Sequence, residues 1–184
     1  YICGLISTVV NKVGNREIQS THTTPNSVSL NLLLAEMVEA GCTHCFMEVS
    51  SHSNVQNRTL GLQFKGGVFT NISHDHLDYH KTFDEYIKAK KRFFDGLSSD
   101  AFALVNSDDK NGSVMVQNTK AERITYALKS PSDYKAKIIE NEISGLILNM
   151  DGMEFYSRLI GRFNAYNLLT VFAVARLLGE DKLK

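Results

Sequence analysis

Two polar clusters in this chain have the residue types needed for chemistry. Glu48-Val49-Ser50-Ser51-His52 sets a carboxylate and hydroxyls beside an imidazole. Asn71-Ile72-Ser73-His74-Asp75-His76-Leu77-Asp78-Tyr79-His80 crowds three imidazoles and two carboxylates into one short run. His74, His76 and Asp78 match the first three positions of an H-x-H-x-D-H dinuclear metallohydrolase. The next position fails, because Tyr79 stands where His is wanted and His80 is displaced by one. A solvated His-rich loop is the plainer alternative, although three of the chain's six histidines fall here.

A third candidate is a lysine. At about 100° per residue, a helix over Thr82–Leu97 carries Phe83, Tyr86, Phe94 and Leu97 as an apolar stripe with Lys90 in its middle. Lys88 and Arg92 point the opposite way. A lysine within such a stripe snorkels or pairs; alternatively, desolvation lowers its pKa and leaves a neutral amine available for chemistry.

The elements that must position these groups alternate between strand and helix. Leu30, Leu33, Leu34, Met37 and Val38 recur at helical spacing between Ser27, a plausible N-cap, and Gly41. Cys45–Ser50 and Gly67–Thr70 read as buried strands that end in polar residues. Thr82-Phe83-Asp84-Glu85 has the form of a capping box for the Lys90 helix, and Ala101–Val105 is the next strand. Beyond Asn111 the pattern becomes short alternating segments at Ile124–Leu128, Lys137–Glu142, Leu146–Met150 and Glu154–Leu159, with turns at Gly145 and Asp151-Gly152. A final helix over Asn164–Leu178 presents Leu168, Val171, Ala175 and Leu178 and stops at Gly179. The expected class is α/β: a mainly parallel sheet flanked by helices, with a small antiparallel sheet appended. In such sheets ligands bind beyond the carboxyl ends of the strands, where both polar clusters fall.

Composition limits the functions available. A chain of 184 residues that is 43% hydrophobic can bury a core, and one domain is the default. Twenty basic residues balance twenty acidic ones, so no global field attracts nucleic acid or anionic lipid, and any phosphate binding must be local. No apolar run is long enough to span a bilayer and no signal-like segment is present, which predicts a cytoplasmic protein. Cys3, Cys42 and Cys45 are an odd count, consistent with a reducing compartment. Cys42-Thr43-His44-Cys45 lacks the second pair that a zinc ribbon requires, so Cys45 is expected to open a buried strand.

Taken in order, Thr23-Thr24-Pro25-Asn26, Met47-Glu48-Val49-Ser50-Ser51-His52, Gln56-Asn57-Arg58, Phe69-Thr70-Asn71, Asp75-His76-Leu77-Asp78-Tyr79-His80 and Gly161-Arg162-Phe163-Asn164-Ala165-Tyr166-Asn167 resemble the central, P-loop-NTPase-like domain of the Mur ligases of peptidoglycan synthesis. The resemblance is strongest to the type that adds the third amino acid of the stem peptide, and it covers nearly the whole chain. It implies ATP-dependent amide formation through an acyl phosphate. The partners are then UDP-N-acetylmuramoyl-dipeptide, ATP and an amino acid, diaminopimelate or lysine. By the same resemblance Glu48 and His76 match residues that hold Mg2+, and Lys90 matches a lysine carried as a carbamate, which also fixes magnesium. Thr23, Thr24, Ser50, Gln56 and Arg58 match contacts to the UDP-muramoyl-peptide. Asn164 and Asn167 fall in the nucleotide-binding motif, with Asn167 at the adenine, and Asn71 supports the magnesium region.

The chain departs from that family in having no G-x-x-x-x-G-K-[ST] phosphate loop. The family carries this loop upstream of the position that is Tyr1 here. Residues 1–184 are therefore expected to be a truncated central domain, without the loop, the N-terminal UDP-binding domain and the C-terminal amino-acid-binding domain, and inactive alone. A folylpolyglutamate synthase shares the architecture, but it is not expected to carry Met47–His52 with Gln56 and Arg58. A non-catalytic binding domain of the same fold is the other alternative.

Overall fold

A computed structural model describes residues 1–73 and 77–181, arranged in two compact units: 1–62 with 88–90, and 63–87 with 91–184. His74, Asp75 and His76 lie outside the described residues.

The first unit is built on a four-stranded sheet ordered β3-β2-β1-β4, from β1 (Cys3–Ile6), β2 (Val10–Val13), β3 (Arg16–Gln19) and β4 (His44–Met47), with helices α1 (Ser27–Glu39) and α2 (Ser51–Val55). Strands β1 and β2 are antiparallel, whereas β1 and β4 are parallel in a register that pairs Ile6 with Met47. The Glu48 amide extends this ladder by donating to the Ile6 carbonyl at 2.9 Å. Parallel strands in this register deliver the residues just past β1 and just past β4 to the same end of the sheet.

Helix α1 starts one residue earlier than the sequence implies. Asn26 is the N-cap, accepting from the Ser29 amide at 3.0 Å, and Ser27 is the first helical residue. Gly41 follows the helix with φ +74°, a left-handed conformation that glycine adopts without a Cβ clash. The face that α1 buries is narrower than its apolar spacing implies. Leu30 and Met37 enter the core with Ile6 and Val13, while Val38 is exposed. Strand β4 is also more open than expected, because Cys45 and Phe46 are exposed at the free edge of this sheet. All three cysteines are free thiols.

The second unit holds a six-stranded sheet in the order β10-β9-β8-β7-β6-β5. Its elements are β5 (Gly66–Phe69), α3 (Leu77–His80), α4 (Phe83–Asp95), β6 (Phe102–Asn106), α5 (Gly112–Met115), β7 (Glu122–Ala127), β8 (Tyr134–Glu142), β9 (Gly145–Met150), β10 (Met153–Ser157) and α6 (Arg162–Leu177). The middle of α4, residues 88–90, groups with the first unit. Strands β5 to β8 are parallel, and β8, β9 and β10 are antiparallel. The antiparallel part is therefore a continuation of the parallel sheet, with β8 serving both, and the alternating segment at 124–128 belongs to the parallel half. Alternation signals one buried face but not the direction of the neighbouring strand, which is why sequence alone misassigned β7.

Thr82 caps α4 as expected, accepting from the Glu85 amide at 3.2 Å, with Asp84 and Glu85 favourably placed at the positive end of the helix dipole. Helix α6 begins two residues earlier than expected. Its N-cap is Gly161 at φ +90°, and Asn164 lies inside the first turn. Its buried face is Ala165, Leu169 and Ala173 against Leu104, Leu146 and Leu148, while Val171 is 67% exposed. The small residues Ala165 and Ala173 fill the face that contacts the sheet, and Leu168 and Leu178 of the expected face pack partly buried against the same core. Burying Leu169 contributes about 2 kcal/mol.

Candidate active site

Glu48 emerges at the end of β4 and is held at both its side chain and its main chain. Its Oε2 accepts from the Thr8 amide at 3.1 Å and the Thr8 hydroxyl at 2.6 Å. Its backbone carbonyl accepts from the Thr24 hydroxyl at 2.8 Å. Thr24 is 1% exposed and also accepts the Ser50 amide at 3.0 Å, so its hydroxyl joins the 23–24 loop to the chain leaving β4. Oε1 of Glu48 accepts no hydrogen bond among the described residues.

Ser50 caps α2 by accepting from the Ser53 amide at 3.2 Å, a short helix the sequence reading did not anticipate. Arg58 follows α2, donating through Nη1 to the Thr24 carbonyl at 2.5 Å and through Nε to Gln56 Oε1 at 2.9 Å. Two of the five guanidinium donors are thereby committed, and the rest of the fork is available to a carboxylate or phosphate. Thr24, Glu48, Ser50, Gln56 and Arg58, with Thr23 joined through the Thr8 hydroxyl at 3.0 Å, thus form one hydrogen-bonded group at the carboxyl ends of two parallel strands. That group gathers six of the residues singled out from sequence.

Lys90 groups with the same unit. Buried Asn54 of α2 donates to the Ala89 carbonyl at 3.0 Å, fixing α2 to the turn of α4 that bears Lys90. Lys90 is half-buried, and desolvation pushes its ammonium below the ordinary lysine range. Tyr86, Phe94 and Leu97 are buried around α4, in line with the apolar stripe.

Asn164, Asn167 and Asn71, the residues expected to meet the nucleotide, lie in the second unit. Asn167 donates from Nδ2 to Asn164 Oδ1 at 3.3 Å, and Asn164 donates to the Ile160 carbonyl at 2.8 Å. Asn167 is exposed. Asn71 is exposed too, and the adjacent Ile72 amide donates to Asp109 Oδ2 at 3.1 Å.

Sequence reasoning missed Asp108, which follows β6. Its carboxylate accepts from the amides of Leu128, Lys129 and Ser130 at 2.8, 2.9 and 2.8 Å, and from the Tyr166 hydroxyl at 2.8 Å. Burial opposes ionisation, but the donors from Ser130, Tyr166 and Lys129 outweigh it and hold the carboxyl well below the usual carboxylate range. Burial and the Asp108 carboxylate push Tyr166 up to about 12. The available signal was Asn106-Ser107-Asp108-Asp109, another polar run at the end of a parallel strand. Thr8 gave no comparable signal, because only strand pairing brings it beside Glu48.

A divalent cation that prefers oxygen fits Glu48, whose Oε1 is unencumbered while Oε2 is fixed. Among the described residues no group of three His, Cys, Asp or Glu side chains is arranged to hold a metal. One carboxylate supplemented by phosphate and water suits magnesium, which keeps several waters, better than it suits zinc. No helix among the described residues is long and apolar enough to cross a membrane.

Residues 2–175 match the family described as the Mur ligase middle domain. The chain is 64% identical over 182 residues to the UDP-N-acetylmuramoyl-L-alanyl-D-glutamate--2,6-diaminopimelate ligase of Cytophaga hutchinsonii, covering 99% of the chain and 37% of that protein. It is 55% identical over 180 residues to the ligase of the same name from Phocaeicola vulgatus, covering 98% and 37%. A solved structure of a ligase of that name superposes with a TM-score of 0.81 at 29% identity, covering 97% of this chain and 38% of the other. The chain thus spans little more than a third of the length of these relatives.

Proposed function

The chain belongs to the Mur ligase family as its middle domain, and on that premise we propose that it is the catalytic core of a ligase joining 2,6-diaminopimelate to UDP-N-acetylmuramoyl-L-alanyl-D-glutamate. The choice of diaminopimelate over lysine rests on the names of the relatives. In the proposed reaction the substrate's terminal carboxylate attacks the γ-phosphorus of ATP and ADP leaves. The amine of diaminopimelate then attacks the acyl phosphate, forming the amide and releasing phosphate and a proton. The setting is peptidoglycan synthesis in the cytoplasm.

The observation that carries this reading is the hydrogen-bonded group of Thr24, Glu48, Ser50, Gln56 and Arg58, with Thr23 linked through Thr8, at the carboxyl ends of β1 and β4. This chemistry asks a protein mainly to position two anions and to stabilise charge as it develops. Arg58 supplies a preorganised planar cation for a carboxylate or phosphate of the muramoyl-peptide. Ser50 and Gln56 orient the same substrate, with Thr24 buried beneath them as the pin. Asn167 faces the adenine from the first turns of α6, steadied by Asn164, and Asn71 lies toward the phosphates.

Glu48, with His76 and Lys90, would hold Mg2+, which neutralises phosphate charge when bound. Lys90 is suited to carbamylation because burial favours its neutral amine. That amine adds to carbon dioxide, forms a C–N bond and gives up one proton, leaving an anion in place of a cation.

The test is ligation by the complete natural protein that carries this chain, supplied with ATP, Mg2+ and the UDP-muramoyl-dipeptide. ADP release that requires both the dipeptide substrate and diaminopimelate, with lysine a poor replacement, is the expected result. ADP release indifferent to the dipeptide would refute the assignment.

A further inference from the structure

Thr8 has no place in the sequence motifs, yet it makes the shortest described contact to Glu48. An ionised carboxylate only accepts hydrogen bonds, so the 2.6 Å contact fixes the Thr8 hydroxyl proton on Glu48 Oε2. That hydroxyl has one proton. The 3.0 Å contact between Thr8 Oγ1 and Thr23 Oγ1 must therefore run the other way, with Thr23 donating to Thr8. The result is a directed chain, Thr23 to Thr8 to Glu48, which the Thr8 amide reinforces on the same carboxylate oxygen at 3.1 Å. Both Thr8 donors fall on Oε2, and none among the described residues falls on Oε1.

We propose that Thr8 is a positioning residue for the cation site: by holding Oε2 it fixes the rotamer of Glu48 and turns Oε1 toward the metal. The inference rests on the reading of Glu48 as a magnesium-holding carboxylate. Hydrogen bonds of this kind orient metal ligands, and removing them typically weakens metal affinity by roughly ten- to a hundredfold. The parallel β1–β4 register is the device that delivers Thr8 to Glu48, because Ile6 pairs with Met47 and the two chains leave the sheet together. It also follows that the Thr23 hydroxyl, its proton committed to Thr8, can meet the muramoyl-peptide only as an acceptor.

The test is Mn2+ binding to the complete natural protein, followed by loss of the free-ion electron paramagnetic resonance signal, in wild type, Thr8→Val, Thr8→Ser and Glu48→Gln, with thermal midpoints recorded alongside. Thr8→Val is expected to bind Mn2+ roughly tenfold more weakly with an unchanged midpoint, since Thr8 is exposed. Thr8→Ser, which keeps the hydroxyl, should restore most of the affinity. Wild-type affinity in Thr8→Val while Glu48→Gln loses binding would overturn the role of Thr8 and leave the Glu48 reading intact. Equal affinity in wild type and Glu48→Gln would overturn both. Loss in Thr8→Ser equal to that in Thr8→Val would also overturn the inference, because the hydroxyl would then not be the active group. Should Thr8→Val fail to fold, Thr23→Val carries the test: weakened Mn2+ binding supports the directed chain, and unchanged binding overturns it.

Discussion

The Tyr166 hydroxyl donates to Asp108 Oδ2 at 2.8 Å, linking the first turns of α6 to the residue that follows β6, 58 positions earlier in the chain. The same carboxylate takes three successive amides from the 128–130 turn, so one anion joins three segments at the carboxyl end of the parallel sheet. The β6–β7 register brings them together, pairing Asn106 with Tyr126 and sending both strands out at the same edge.

Asp108→Asn should therefore cost roughly 2–3 kcal/mol of stability near pH 7, because the amide's NH2 would face hydrogen-bond donors. The sign of the pH dependence follows from the lowered folded value. The Asp108 contribution is fully present above the ordinary carboxylate pKa of about 3.9 and is lost as pH falls through the folded value. Urea midpoints measured against pH should give wild-type and variant curves that separate at neutrality and converge in acid.

Thr24 is satisfied as both donor and acceptor inside the fold, so Thr24→Val removes two hydrogen bonds and leaves the Glu48 carbonyl and the Ser50 amide without their partner. The expected loss is about 2–3 kcal/mol, seen as a lower thermal midpoint, and Thr24→Ser should recover most of it. A variant as stable as wild type would show that the hydroxyl does not pin the loop.

Asn167→Ala should raise the KM for ATP roughly tenfold, the equivalent of one good hydrogen bond, and leave the KM for the UDP-muramoyl-dipeptide unchanged. Steady-state kinetics with each substrate varied in turn separates the two. A change confined to the dipeptide would remove Asn167 from the adenine.

Much of this was legible in the sequence where a local rule applied. The Thr82 cap, the apolar face around Lys90 and the parallel strands at 66–69 and 102–106 each rest on spacing or on one capping residue. What remained hidden depends on strand pairing. Nothing local indicates that Thr8 meets Glu48 or that Asp108 meets the 128–130 turn, because those meetings are set by β1–β4 and β6–β7 register. Apolar spacing made the buried faces of α1 and α6 too wide: Val38 and Val171 are exposed, while Leu30, Leu34 and Met37 of α1 and Leu168 and the C-cap Leu178 of α6 do pack against the cores. Periodicity fixes a face only to within about one residue's rotation, and packing against the sheet decides the rest. The antiparallel strands were visible as alternation, but their continuity with the parallel sheet through β8 was not.

The proposed Lys90 carbamate would give a pH dependence of its own. Carbamylation needs the neutral amine, which burial already favours. A carbamate on Lys90 would therefore be lost as pH falls through the lowered Lys90 value. Carbon-13 bicarbonate labelling should yield a carbamate signal in wild type that weakens on acidification and is absent from Lys90→Ala.

The most direct measurement is ligation by the complete natural protein bearing Lys90→Ala, with and without a short-chain carboxylic acid. The variant is expected to lose at least about a hundredfold in turnover, and the added acid, supplying the missing anion, should restore part of it. Wild-type turnover in Lys90→Ala would contradict the assignment of Lys90 to the reacting centre.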